Sequence, residues 1–174
     1  MKKYIDTNFP KEQNKLLKVA LKYENGYNRK VFKDLPMDIV EYEEDTTSIL
    51  FSTYFINIPT MYLYVNTPTQ REDGSHINAD TQKNILGGYN NATAAHVKSL
   101  FMDVVDDKNI MIAAIAPEDG DYTVYVNNSL LEIFTQGQPG SEYELRTTSA
   151  SSLVYVMYDG ACIGGLLPIR YNKK

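Results

Sequence analysis

Residues able to do chemistry are few in this chain. Two histidines, His76 and His96, and one cysteine, Cys162, stand among 174 residues. Neither histidine has a cysteine or the other histidine at zinc-ligand spacing, so each reads as a surface or capping residue. Cys162 sits in the apolar run Ala161-Cys-Ile-Gly-Gly-Leu-Leu167, which suits a small buried hydrophobe better than a reactive thiol. Acidic clusters occur at 41–45, 103–107 and 118–121. The last lacks the regular oxygen spacing and distal Glu of a calcium loop, and all three read as turns or solvated faces. The glycine pairs at 87–88 and 164–165 do not have the spacing of a phosphate-binding loop or dinucleotide fingerprint. The expectation is a non-enzymatic protein with no cofactor and no metal.

Charge offers a second kind of chemistry. Lys11, Lys15, Lys18 and Lys22 recur at helical spacing, opposite an apolar face of Leu16, Leu17, Val19, Ala20, Leu21 and Tyr23. Such a stripe can neutralise phosphates without reading sequence. It can equally be the solvated face of a surface helix, diluted by Glu12 and Glu24. The whole chain carries a net charge of -5, which argues against a generally basic nucleic-acid coat protein.

These residues need elements to position them. The periodicity predicts a short strand at 2–6, a helix at 10–24 and strands at 38–43, 47–53 and 54–65, with Pro59 breaking the last. Residues 66–90 read as a loop rich in Asn, Thr, Gly and Asp. Val97, Leu100, Phe101, Val104 and Val105 predict a second helix near 92–106, which would carry Lys98. Strands at 109–116 and 122–126 follow, then a helix at 128–136 and strands at 142–148, 152–158 and 161–170. Both ends thus read as strand, helix and three strands. The expected fold class is α+β, a duplicated βαβββ unit in one domain. Its first half is 1–65, an insertion covers 66–118 and the second half is 119–174.

Three segments carry a resemblance to a known family. They are Val126-Asn-Asn-Ser-Leu-Leu-Glu-Ile-Phe134, Thr147-Thr-Ser-Ala-Ser-Ser-Leu153 and Leu167-Pro-Ile-Arg170. Together they resemble the third domain of the bacterial DNA polymerase sliding clamp. That resemblance implies a DNA-clamp-like antiparallel sheet with two helices side by side on one face. It implies a peptide groove at Ala150, Ser152, Leu166, Leu167, Pro168, Ile169 and Arg170, taking clamp-binding peptides of replication or repair proteins. It also implies DNA-backbone contact through Lys11, Lys15, Lys18, Lys22 and Lys98. A phage or mobile element would suit such a single-domain relative.

On physical grounds alone, Leu166, Leu167 and Ile169 are either core or groove, since alternation turns neighbours to opposite faces. A second function class stays open beside the first: a structural protein that forms homo-oligomers through sheet edges and Tyr-rich strands. The N-terminus lacks the apolar stretch of a signal peptide, and no apolar run is long enough to span a membrane. The expected location is the cytoplasm, with no membrane partner.

Overall fold

The computed structural model describes residues 15–19, 38–63, 75–137 and 142–171. Residues 15–19 are helical (α1). Three strands follow in a meander: β1 (Asp38–Glu43), β2 (Thr46–Leu50) and β3 (Tyr54–Pro59). Next come α2 (Ala79–Leu86), β4 (Thr93–Val105), β5 (Lys108–Pro117), β6 (Val124–Asn127) and α3 (Asn128–Gly137). A second meander closes the chain: β7 (Tyr143–Thr147), β8 (Val154–Tyr158) and β9 (Ala161–Leu166). The class is α+β, as expected. Lys11, Lys22 and the predicted strand at 2–6 lie outside the described residues.

All described strands join one antiparallel sheet in the order β1-β2-β3-β9-β8-β7-β4-β5-β6. The two meanders therefore meet at their last strands, with Tyr54 opposite Leu166, Phe55 opposite Gly165 and Ile56 opposite Gly164. Asp159 and Gly160, at φ 49° and 78°, give the two left-handed residues that a tight β8–β9 hairpin demands. Asp106 and Asp107, at φ 50° and 63°, do the same between β4 and β5.

The sheet curls on itself. β9 and β6 are five strand steps apart, about 24 Å if the sheet were flat. Yet the Leu167 amide donates to Thr53 O beside β3, and the Ile169 amide donates to Tyr125 O on β6. Two residues of chain reach only about 7 Å. The tail after β9 thus ties the middle of the sheet to its far edge.

Helices cover both faces. On one face Leu16 and Leu17 of α1 and Leu130, Leu131, Ile133 and Phe134 of α3 share a core with Ile49, Ile56, Val126, Val154 and Leu166. The two helices touch: a Cβ placed on Gly137 would lie 2.4 Å from Leu16 Cα. On the other face α2 places Leu86 against Val40, Leu50, Phe55 and Tyr155. Gly164 and Gly165 sit where both layers press on β9. A Cβ on Gly164 would lie 2.4 Å from the Phe134 ring, and one on Gly165 would lie 2.7 Å from the Phe55 ring.

Three expectations are corrected. Residues 92–106 do not form a helix; Thr93–Val105 is the longest described strand, paired with β5 from Ala95 to Val105. The apolar spacing fits a helix, but Val97, Phe101, Val104 and Val105 are β-branched or aromatic, and the Asp106–Asp107 turn returns a matching partner. Lys98 consequently sits on a strand, at a β-bulge between Val97 and Ser99. The segment 66–90 is not wholly loop, because α2 lies within it on the face opposite α1 and α3. No helix among the described residues is long and apolar enough to cross a membrane.

Candidate functional site

The site is built around α2, which is fastened at both ends. Before the helix, the buried carboxylate of Asp38 on β1 accepts from the Ile77 amide at 2.9 Å and the Ile39 amide at 2.9 Å. His76 Nδ1 lies 3.1 Å from the same group. This satisfies a carboxylate that would otherwise be costly to bury. The Thr81 amide donates to Asn78 Oδ1 at 2.9 Å, the side-chain cap that starts a helix. At the other end the Tyr155 hydroxyl on β8 reaches the Ile85 carbonyl at 2.8 Å. That bond satisfies one of the carbonyls a helix end leaves open. Burial pushes the Tyr155 hydroxyl up to about 12, so it stays a neutral donor.

Between α2 and the sheet, an apolar cavity of about 140 Å³ remains open. The β2–β3 turn forms one wall with Leu50, Phe51 and Phe55, and α2 with its entry forms another with Ile77 and Ile85. Leu153 and Leu167 complete the rim. The turn is closed by the Phe51 amide, which donates to Tyr54 O at 2.8 Å, and the Phe51 and Tyr54 rings stack with centroids 4.5 Å apart. Leu167 is 44% exposed, immediately after the fully buried Leu166. Its amide bond to Thr53 O holds the backbone while its side chain stays at the mouth.

A cleft of mixed polarity adjoins the end of α2, lined by Tyr42, Lys83, Asn84, Asn90, Thr148 and Ser152 together with Leu153 and Tyr155. Its volume is about 530 Å³. Ser152 shapes this end: its Oγ accepts from the Ser149 amide at 2.9 Å and the Thr148 amide at 3.0 Å. Leu153 lines both spaces, so the apolar cavity and the mixed cleft share a wall.

The sequence-derived groove residues divide accordingly. Leu167 lines the cavity and Ser152 lines the cleft. Ala150 is exposed at the turn and lines neither. Leu166 is corrected to core: it is fully buried between Tyr54 and Val154, because its alternation turns it toward the α3 side of the sheet. Pro168 and Ile169 are half-buried and Arg170 is exposed. The Ile169 amide is engaged with β6. Of the lysines, Lys15 is exposed and Lys18 half-buried on α1, and Lys98 is exposed on β4. The chain does not bring Lys98 onto the helix layer.

Sequence reasoning missed Leu50, Phe51, Phe55, Ile77, Ile85 and Leu153. One signal for the α2 wall was present, in Asn78 followed three residues later by Thr81 with apolar Ile85 and Leu86 behind. Among the described residues, no group of three or more His, Cys, Asp or Glu is placed to hold a metal ion. Cys162 is half-buried, and burial pushes its thiol up to about 12. No family model, curated protein or solved structure matches the chain.

Proposed function

We propose that this chain is a sliding-clamp-like interaction module, without enzymatic activity of its own, that captures short peptides of replication or repair proteins in the cleft beside α2. The observation that carries the reading is the apolar cavity at Leu167, open to solvent and separated by Leu153 from a cleft of mixed polarity. A cavity of this size and lining takes one aromatic ring or branched aliphatic side chain. The cleft then gives the flanking peptide backbone hydroxyl, amide and ammonium groups to meet. This is the usual division between an apolar anchor and polar positioning groups.

Two features of the fold support the clamp-like plan. The order β1-β2-β3-β9-β8-β7 repeats one meander in reverse about the β3–β9 seam. The helices α1 and α3 touch on a single face. Both are what a duplicated βαβββ unit would give.

Isothermal titration with synthetic clamp-binding peptides tests the proposal. The expected result is saturable binding in the micromolar range. Leu167→Ser should weaken it by at least about tenfold, the worth of a buried leucine side chain. Absence of heat at high micromolar peptide, or binding indifferent to Leu167→Ser, contradicts it.

A further inference from the structure

We infer that the occupant of the cleft beside α2 is an acidic peptide: its apolar anchor fills the cavity at Leu167, and its flank presents an Asp or Glu carboxylate to Lys83. This rests on the peptide-capture reading above and adds the charge of the partner.

The cleft is an exception in an acidic protein. The chain carries a net charge of -5. Yet no carboxylate lines the cleft, and Lys83 is its one charged lining residue. Lys83 is exposed on the last turn of α2. Among the described residues no acid forms an ion pair with it, Asp80 one turn back included. The charges around the lining tyrosines are turned away or engaged. Glu41 shares the α1–α3 face with Ile39. Glu43 accepts from the Tyr89 hydroxyl at 2.9 Å, and Arg146, opposite Tyr155 in the sheet, donates to Glu144 at 3.0 Å.

A helix C-terminus ordinarily repels an anion, because its last carbonyls are left open. Here those carbonyls are occupied. The Tyr155 hydroxyl reaches Asn84 O at 3.2 Å and Ile85 O at 2.8 Å. The Gly87 amide donates to Lys83 O at 3.0 Å, and the Asn90 side chain donates to Gly87 O at 3.2 Å.

What the cleft keeps for a ligand is mainly the capacity to donate. The Lys83 ammonium can only donate, and the Tyr42 hydroxyl and the side-chain amides of Asn84 and Asn91 can donate beside it. A carboxylate, which only accepts, matches that set and makes the stronger, charge-assisted bond. Leu153 lines both the cavity and the cleft, so one extended peptide can meet both.

Fluorescence anisotropy with synthetic peptides tests this. Each peptide carries one Phe anchor among Ser and Ala spacers, with both ends capped. A single Asp is walked through the flanking positions, and an Asn series is the control. At least one Asp position should bind about two- to fivefold more tightly than its Asn partner at low ionic strength, the range of an exposed charge pair. The gain should shrink in concentrated salt. Lys83→Ala should remove it, and Lys83→Glu should turn it into a preference for Lys at the same position. A gain that survives Lys83→Ala, or no Asp position above its Asn partner, overturns the inference; Leu167→Ser still weakening those peptides would then leave the cleft reading standing without it. No binding by any peptide overturns both. 3-Phenylpropionate binding as tightly as the best Asp peptide gives the site to a small carboxylate and overturns the peptide occupant. Affinity that falls as the protein is concentrated gives the site to a second copy and overturns it likewise.

Discussion

The Tyr155 hydroxyl lies 2.8 Å from the Ile85 carbonyl and 3.2 Å from that of Asn84, so one side chain on the sheet grips the last turn of α2. The same hydroxyl fills the space a Cβ on Gly88 would need, 2.1 Å away. Tyr155→Phe is expected to cost about 1 kcal/mol, the net worth of one such bond. Gly88→Ala should cost more, by forcing the ring aside. The two changes share a contact, so their costs should fall short of additive in a double-mutant cycle read by urea unfolding.

Leu166 and Leu167 are neighbours with opposite fates. Leu166→Ala should destabilise the fold by about 2–5 kcal/mol, the range for emptying a buried leucine site. Leu167→Ala should stay within about 1 kcal/mol of the parent in stability, because its side chain is partly solvated already. Peptide affinity should show the reverse order for the folded proteins: lowered by Leu167→Ala, and retained by Leu166→Ala below its unfolding transition. Denaturant titration beside peptide titration separates the two effects.

Gly164 marks the tightest packing on β9. A Cβ there would lie 2.3 Å from the Phe55 carbonyl oxygen as well as against the Phe134 ring. The ring can turn, but the carbonyl belongs to a paired strand. Gly164→Ala is expected to lose about 1–3 kcal/mol or more, with Gly165→Ala milder because its closest neighbour is the Phe55 ring and the nearest backbone atom, Val154 O, stands 3.3 Å off. Thermal melts of both variants check the order.

Alkaline pH should destabilise the protein through two acids, buried Tyr155 and half-buried Cys162. Burial raises Tyr155 from 10.0 to about 12 and Cys162 from 9.0 to about 12. Each group stays neutral in the fold at pH values where the unfolded chain has already released its proton. Their stabilising contribution is complete below pH 9 and is lost as pH rises toward about 12. The melting temperature should fall across that window, and less steeply in a Tyr155→Phe, Cys162→Ala double variant.

Much of the fold was legible because local chemistry agreed with the tertiary outcome. Asp159-Gly160 set the β8–β9 hairpin, and Pro59 ended β3 where a ladder donor was lost. Leu130, Leu131, Ile133 and Phe134 gave α3 an unmistakable inner face. The failure at β4 has an equally local cause. Val97, Leu100, Phe101, Val104 and Val105 satisfy helical spacing, and their β-branched and aromatic types decide against it only together with the partner strand beyond Asp107. The site was legible in part. Leu167 and Ser152 were candidates through the resemblance of 147–153 and 167–170, but the wall that faces them comes from α2, Leu50 and Phe55, in segments far away in sequence. No periodicity within one segment reports a cavity assembled from four.

Methyl-resolved NMR during a peptide titration tests the central claim most directly. The cleft account expects saturable shifts at Leu50, Ile77, Ile85, Leu153 and Leu167, with Leu166 and the β4 methyls of Leu100 and Val104 still. Shifts confined to β4, or none at saturating peptide, would contradict it.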